Sequence, residues 1–209
     1  MNLLIYGSNG WIGKQFIEIL ENKNINYIKG KSRCDENIEL EINKINPTHI
    51  ISFIGRTHGQ IDDKYYSTID YLEQKGKLYE NLRDNLYSPL NLAIICKEKN
   101  IHFTYIGTGC IFTYDDIHIH GIEKNGFTEL DKPNFFGSSY SIVKGYTDRI
   151  MKNFDNVLNL RIRMPITDNY NSRNFITKIT NYEYICSIPN SMTVLPELLP
   201  IVLEMINNN

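Results

Sequence analysis

Tyr140 and Lys144 lie four residues apart in Tyr140-Ser-Ile-Val-Lys144 and share one face wherever that stretch is helical. An ammonium beside a phenol favours the phenolate and draws the phenol's pKa down from its usual value of about 10. Such a tyrosine is a usable proton donor near neutral pH. Upstream, Thr108-Gly-Cys110 offers a hydroxyl and a thiol two residues apart. Thr108, Tyr140 and Lys144 make a Ser/Thr–Tyr–Lys set. Tyr140 protonates the oxygen that hydride attack leaves on a ketone, Thr108 stabilises that oxygen, and Lys144 holds a cofactor ribose while tuning the phenol. One tyrosine among fourteen is ordinarily a packing residue, which suits Tyr65, Tyr66 and Tyr182. Context separates Tyr140 from them.

That chemistry needs a hydride carrier, and Gly7-Ser-Asn-Gly10-Trp-Ile-Gly13 between a strand and a helix fits one. Glycines at this spacing permit a tight turn and let backbone N–H groups approach a pyrophosphate at a helix N-terminus. Gly7, Asn9, Gly10, Trp11, Ile12 and Gly13 are therefore cofactor-binding candidates, although the spacing differs from GxGxxG. After the second strand comes Gly30-Lys31-Ser32-Arg33, where an NAD-specific protein usually carries an acidic residue for the ribose hydroxyls. Lys31, Ser32 and Arg33 suit a 2′-phosphate, since a guanidinium forks onto phosphate oxygens. NADPH is expected, with NADH as the alternative. Asn85, in the helix before the Thr108 strand, is expected to anchor a water or a carbonyl near Lys144 and so to belong to the cofactor site.

The elements that must carry these groups follow from hydrophobic periodicity. Short apolar runs alternate with longer amphipathic ones, the pattern of βαβ units around a parallel sheet. Strands are predicted at Asn2–Tyr6, Asn26–Lys29, His49–Ile54, Ile101–Ile106 and Val157–Arg161. Helices are predicted at Trp11–Asn22, between Lys77 and Lys99, at Ser138–Asn153 and at Leu195–Asn207. The loop from Gly107 to Gly137 is long for a compact domain and is expected to be functional or mobile. The fold class is α/β, a Rossmann-type doubly wound parallel sheet. Residues 1–165 are expected to form the cofactor-binding domain, and 166–209 to open a substrate-binding portion.

Composition narrows the partners. The chain has 209 residues, 42% hydrophobic and 22% charged, enough for one domain with a real core. A formal charge of −2 with no Lys/Arg stripe argues against nucleic acid. No apolar run approaches the ~18 residues that span a bilayer, and none resembles a signal peptide, so a cytoplasmic protein without membrane partners is expected. Cys34, Cys96, Cys110 and Cys186 form no CxxC pair, so neither disulfides nor zinc are indicated. His118-x-His120 has no evident third ligand.

The resemblance becomes specific at Tyr6-Gly-Ser-Asn-Gly-Trp-Ile-Gly13, Pro47-Thr-His49, Thr108-Gly-Cys-Ile-Phe112 and Asp131-Lys-Pro-Asn-Phe135. It continues through Tyr140 to Lys144, Leu160-Arg-Ile-Arg-Met-Pro-Ile166, Arg173-Asn-Phe-Ile-Thr-Lys-Ile179 and Ile188-Pro-Asn-Ser-Met192. With these stretches the chain resembles an extended short-chain dehydrogenase/reductase of the dTDP-4-dehydrorhamnose reductase branch. It is most similar to the epimerase/reductase portion of plant-type UDP-rhamnose synthases and their giant-virus counterparts.

The resemblance implies a two-function enzyme acting on UDP-4-keto-6-deoxy-D-glucose. The C4 ketone acidifies the hydrogens at C3 and C5, so one keto group licenses two epimerisations through enolates. In that family the acid/base roles fall on a Cys after the Thr-Gly and on a Lys in Asn-Phe-x-Thr-Lys, here Cys110 and Lys178. Thr108, Cys110, Asn174 and Lys178 are then substrate-binding candidates, and Gly55 and Thr57 line the nicotinamide side. At Gly55-Arg-Thr-His58 the family more often has smaller residues, so Arg56 and His58 change contacts there. The chain also stops short of where family members continue, so the substrate-closing portion is expected to be short or truncated. A monofunctional UDP- or dTDP-4-keto-6-deoxy sugar reductase and a non-catalytic cofactor-binding regulatory subunit are the alternatives. A homodimer is expected by analogy only.

Overall fold

Leu3–Tyr6 is an apolar run too short for a helix, and all four residues are buried; it forms β1. Such a run with no polar alternation suits a strand covered on both faces. The computed structural model describes residues 1–32, 37–121 and 126–208. In chain order β1 leads to α1 (Trp11–Asn22), β2 (Tyr27–Lys29), α2 (Ile38–Ile45) and β3 (His49–Ser52). A hairpin of β4 (Gly59–Ile61) and β5 (Lys64–Tyr66) and a 3-10 turn at Ile69–Glu73 precede α3 (Leu78–Leu82). A π-helical turn at Arg83–Tyr87 links α3 to α4 (Ser88–Glu98). Then come β6 (His102–Thr108), α5 (Ser139–Met151), β7 (Val157–Ile162), β8 (Pro165–Ile166), α6 (Phe175–Ile179), β9 (Thr193–Val194) and α7 (Leu195–Asn207).

The five main strands are parallel in the order β2-β1-β3-β6-β7. The chain leaves β1 to one side for β2 and returns on the other for β3. That reversal makes the crevice between the carboxyl ends of β1 and β3 the topological switch point, where open α/β sheets bind ligands. Each strand expected from sequence is present. β6 extends to Thr108, which pairs with Ile162, so the hydroxyl sits on the last rung of the ladder.

Alternation along the strands divides the core into two layers. Leu4, Tyr6, Ile50, Phe103 and Tyr105 face Ile38 and Ile42 of α2, Leu92, Ala93 and Cys96 of α4, and Met151 of α5. Leu3, Ile5 and Ile51 face Phe16, Ile17 and Leu20 of α1 and Leu195, Leu199, Val202, Leu203 and Ile206 of α7. Among the described residues no helix is long and apolar enough to cross a membrane.

Candidate active site

At the end of β1, Gly7 adopts φ 73°, and a Cβ there would lie 2.8 Å from the Phe53 carbonyl carbon. A Cβ on Gly13 would lie 2.5 Å from the Gly7 carbonyl oxygen. Only glycine allows this turn to press against β3 and α1 together. Gly10 donates to the Gly7 carbonyl at 3.0 Å and opens α1 with no side-chain cap. A Cβ on Gly10 would meet nothing but that carbonyl, so open space faces the helix N-terminus. Trp11 and Ile12 pack against the core under α1, which leaves their main-chain N–H groups as what they offer a ligand. Uncapped N–H groups, the helix dipole and open space fit a pyrophosphate. Asn9 is exposed beside the turn.

The basic turn after β2 holds a residue that sequence reading missed. Lys31 and Ser32 donate their main-chain N–H groups to the Glu41 carboxylate of α2 at 2.8 and 3.0 Å, and the Tyr6 hydroxyl donates at 3.0 Å. Burial opposes the charge on Glu41, but these bonds outweigh it and hold the carboxyl below its usual range. Glu41 thus fixes the turn that presents Lys31 and Ser32. Arg33 and Cys34 lie outside the described residues.

The chemistry gathers at the end of β6. Cys110 N–H donates to the Thr108 hydroxyl at 3.1 Å, which curls the chain as it leaves the strand. Ser138 caps α5 by accepting from Ser141 N–H, and the Ser141 hydroxyl donates to the Cys110 carbonyl at 2.7 Å. Glu73 accepts from Ser139 and Tyr140 N–H at 3.0 and 3.3 Å, an anion at a helix N-terminus. These bonds bring Tyr140 onto Thr108, with Cys110 packed against the Tyr71, Leu72 and Tyr140 cluster.

Two expectations are corrected here. The Tyr140 pKa is raised, not lowered: burial and the Cys110 charge outweigh the hydrogen bond with Thr108. Lys144 is itself buried and lowered to about 7 by desolvation, and its ammonium bonds the Tyr105 hydroxyl rather than the Tyr140 phenol. Asn85 anchors the Arg56 carbonyl and accepts at its own carbonyl from Thr147 of α5 at 2.7 Å. It sits in the π-helical turn and grips residue 56, accepting from Arg56 N–H at 3.0 Å and donating to its carbonyl at 2.9 Å. Its role is to set the Gly55–His58 segment, where Gly55 approaches the Asn85 amide oxygen.

Lys178 lies on a separate wall. It donates to the Ser67 carbonyl at 2.9 Å, and burial followed by the Arg173 charge pulls its pKa down. Ser67 follows Tyr66, which packs on the Tyr140 cluster, so β5 is the link between Lys178 and Cys110. Arg173 binds His58 and donates to the Thr57 hydroxyl at 2.8 Å. Thr57 is therefore tied to the Lys178 side of the site. Burial, then Arg173, Arg56 and Lys178, lowers His58 to about 4, so its ring is neutral at pH 7. Asn174 is buried, caps α6, and donates to the Thr167 and Asn169 carbonyls at 2.8 and 2.9 Å. Its amide is engaged by protein and aims α6, and so Lys178.

Among the described residues no group of three or more His, Cys, Asp and Glu gathers to hold a metal. A cleft of about 1180 Å³ runs along β7, lined by Phe112, Leu158, Leu160, Arg163 and Asn190. Neither Tyr140 nor Lys144 lines it, so volume alone does not mark the chemistry.

No family model matches the chain. The L780 protein of Acanthamoeba polyphaga mimivirus is 56% identical across all of this chain and 71% of its own length. The crystal structure of the L780 UDP-rhamnose synthase superimposes at a TM-score of 0.91, with 57% identity and the same coverage. An Arabidopsis thaliana bifunctional dTDP-4-dehydrorhamnose 3,5-epimerase/reductase is 42% identical across this whole chain and 67% of its own length. This chain belongs to the nucleotide-sugar epimerase/reductase family. In Arabidopsis a trifunctional dehydratase/epimerase/reductase also matches at 42%, over 30% of its length. A Bacillus anthracis dTDP-4-dehydrorhamnose reductase, solved with NADP, shares the fold at a TM-score of 0.73 and 18% identity, over 99% of this chain and 71% of that one.

In this family member, Glu41, Glu73, Tyr105 and Arg173 bond candidate site residues and were passed over in the sequence reading. Only Arg173 carried a signal, since it opens the Arg173-to-Ile179 stretch. The carboxylates act on main-chain groups ten and sixty-six residues away, which no local pattern encodes.

Proposed function

We propose that the chain is a 3,5-epimerase and NADPH-dependent 4-reductase that converts UDP-4-keto-6-deoxy-D-glucose to UDP-L-rhamnose. The observation that carries this is Thr108, Tyr140 and Cys110 packed together at the carboxyl edge of β6. The glycine turn, with Lys31 and Ser32, would hold NADPH, which when bound supplies the hydride. Gly55 and Thr57 would border it on the far side of the crevice.

Thr108 and Tyr140 hold the C4 oxygen by hydrogen bonds, first as ketone and then as enolate, so one oxyanion site serves both activities. Cys110 and Lys178 exchange protons with C3 and C5, one removing a proton and the other returning one to the opposite face. A lowered pKa suits Lys178 to that work, because an amine must be neutral to act as a base. On reduction Tyr140 gives its hydroxyl proton to the C4 oxygen and leaves a phenolate, which solvent later reprotonates. Residues 166–209 supply Lys178 and the start of the substrate-binding portion before α7 returns to the core. The exposed row Ile142, Tyr146 and Ile150 on α5 suits a homodimer through that helix.

The test is one incubation of the chain with UDP-4-keto-6-deoxy-D-glucose, NADPH and D₂O, followed by NMR. UDP-L-rhamnose carrying deuterium at C3 and C5 is expected, and Cys110→Ser should abolish the deuterium uptake. NADPH oxidation without deuterium incorporation would reduce the protein to a plain 4-keto sugar reductase. Cofactor binding without turnover would point to the regulatory reading.

A further inference from the structure

Lys144 carries a buried charge with no carboxylate of its own. It is 5% exposed, and no ion pair links it to an acid among the described residues. The nearest acid along α5, Asp148, is one turn on, but its oxygens accept from Arg161 at 2.8 Å and from Asn159 at 2.9 Å. Cys110 and Asp148 favour the ammonium only from a distance, and burial opposes it. What Lys144 does meet is β6: it donates to the Tyr105 hydroxyl and, at 3.4 Å, to the Ile106 carbonyl.

An ammonium has three donors. Two fixed acceptors on one strand use two of them and set the direction of the third. Tyr105 is 1% exposed, locked in the layer between the sheet and α4, so the acceptor it presents does not wander. We propose that Tyr105 is a positioning residue for Lys144: its phenol oxygen favours the ammonium over the neutral amine and leaves one N–H aimed at the cofactor ribose. This deepens the proposed function and rests on it for the identity of the cofactor. The phenol itself stays neutral, because burial and the charges of Tyr140 and Asp148 push its pKa well up. It therefore accepts without competing for the proton.

The test is Tyr105→Phe, which keeps the ring and removes the acceptor. NMR of ¹³C-labelled lysine, with Lys144 assigned by its loss in Lys144→Arg, reads the titration directly. The midpoint should fall by about one pH unit in Tyr105→Phe, in line with the loss of one hydrogen bond to a charged group. NADPH affinity at pH 7.5 should weaken about tenfold, and the alkaline limb of kcat/KM should move down by about the same pH interval. An unchanged Lys144 midpoint and superimposable pH profiles would overturn the role. Should the chain prove inactive on the keto sugar, the proposed activity fails while the lysine titration still judges Tyr105. If Tyr105→Phe does not fold, ¹⁹F NMR of 3-fluorotyrosine at position 105 replaces it. That resonance should move in Lys144→Met, and a stationary one would refute the contact.

Discussion

Burial raises the pKa of Tyr140, and for a ketone reduction that is the useful direction. A C4 alkoxide is more basic than a phenolate, so a phenol that stays protonated at neutral pH still gives up its proton when the alkoxide forms. Tyr140→Phe should lower kcat by about 10²- to 10⁴-fold, with NADPH affinity measured by fluorescence nearly unchanged. Lys144 titrates in the opposite sense. Its folded pKa of about 7 lies below its ordinary value of 10.5, so the unfolded chain binds the proton more tightly. The cost to the fold is therefore fully present below about 7 and fades as pH rises towards the unfolded value. Lys144→Met should accordingly unfold at higher urea than the unaltered chain at pH 6.5, with the gap narrowing at pH 10. Loss of NADPH binding in the same variant would show stability exchanged for function.

At the scale of elements, α5 is fixed at both ends by charge. Glu73 holds its first turn, and near its last turn Asp148 pairs with Arg161 of β7 at 2.8 Å. Arg161 also donates to the Thr128 and Asp131 carbonyls, which ties the long loop to the same strand. Asp148→Asn leaves the partly buried Arg161 guanidinium without its anion and should cost about 2–4 kcal/mol in urea unfolding. Asn85→Ala should free residues 55–58 and raise the NADPH KM more than it lowers kcat. Five strands and four long helices were legible in the sequence, because apolar runs and periodicity survive tertiary packing. Helix α2 and the β4–β5 hairpin were not, being eight residues and two three-residue strands with weak patterns. Type and spacing named Thr108, Cys110 and Tyr140, which the structure brings together. The partners of site residues were not legible, since whether Lys144 meets Tyr140 or Tyr105 depends on how deep the sheet and helices bury it.

Across the whole molecule the two core layers serve different halves of the site. The α2/α4/α5 layer carries Tyr105 and, through α5, underlies Lys144, whereas the α1/α7 layer supports the glycine turn. Leu203→Ala in α7 removes a side chain 2% exposed beneath α1 and should cost about 2–5 kcal/mol, read by urea unfolding. Cofactor affinity should fall with it, although Leu203 is remote from the crevice. The packing of α7 on β1 also orders events in time. Leu3 and Ile5 leave the ribosome almost two hundred positions before Leu195 to Ile206, which complete the cover that α1 begins. Contacts so distant in sequence form slowly and leave apolar surface open to chaperones and neighbours meanwhile. The glycine turn, made long before α7, is thus expected to become rigid only when α7 docks.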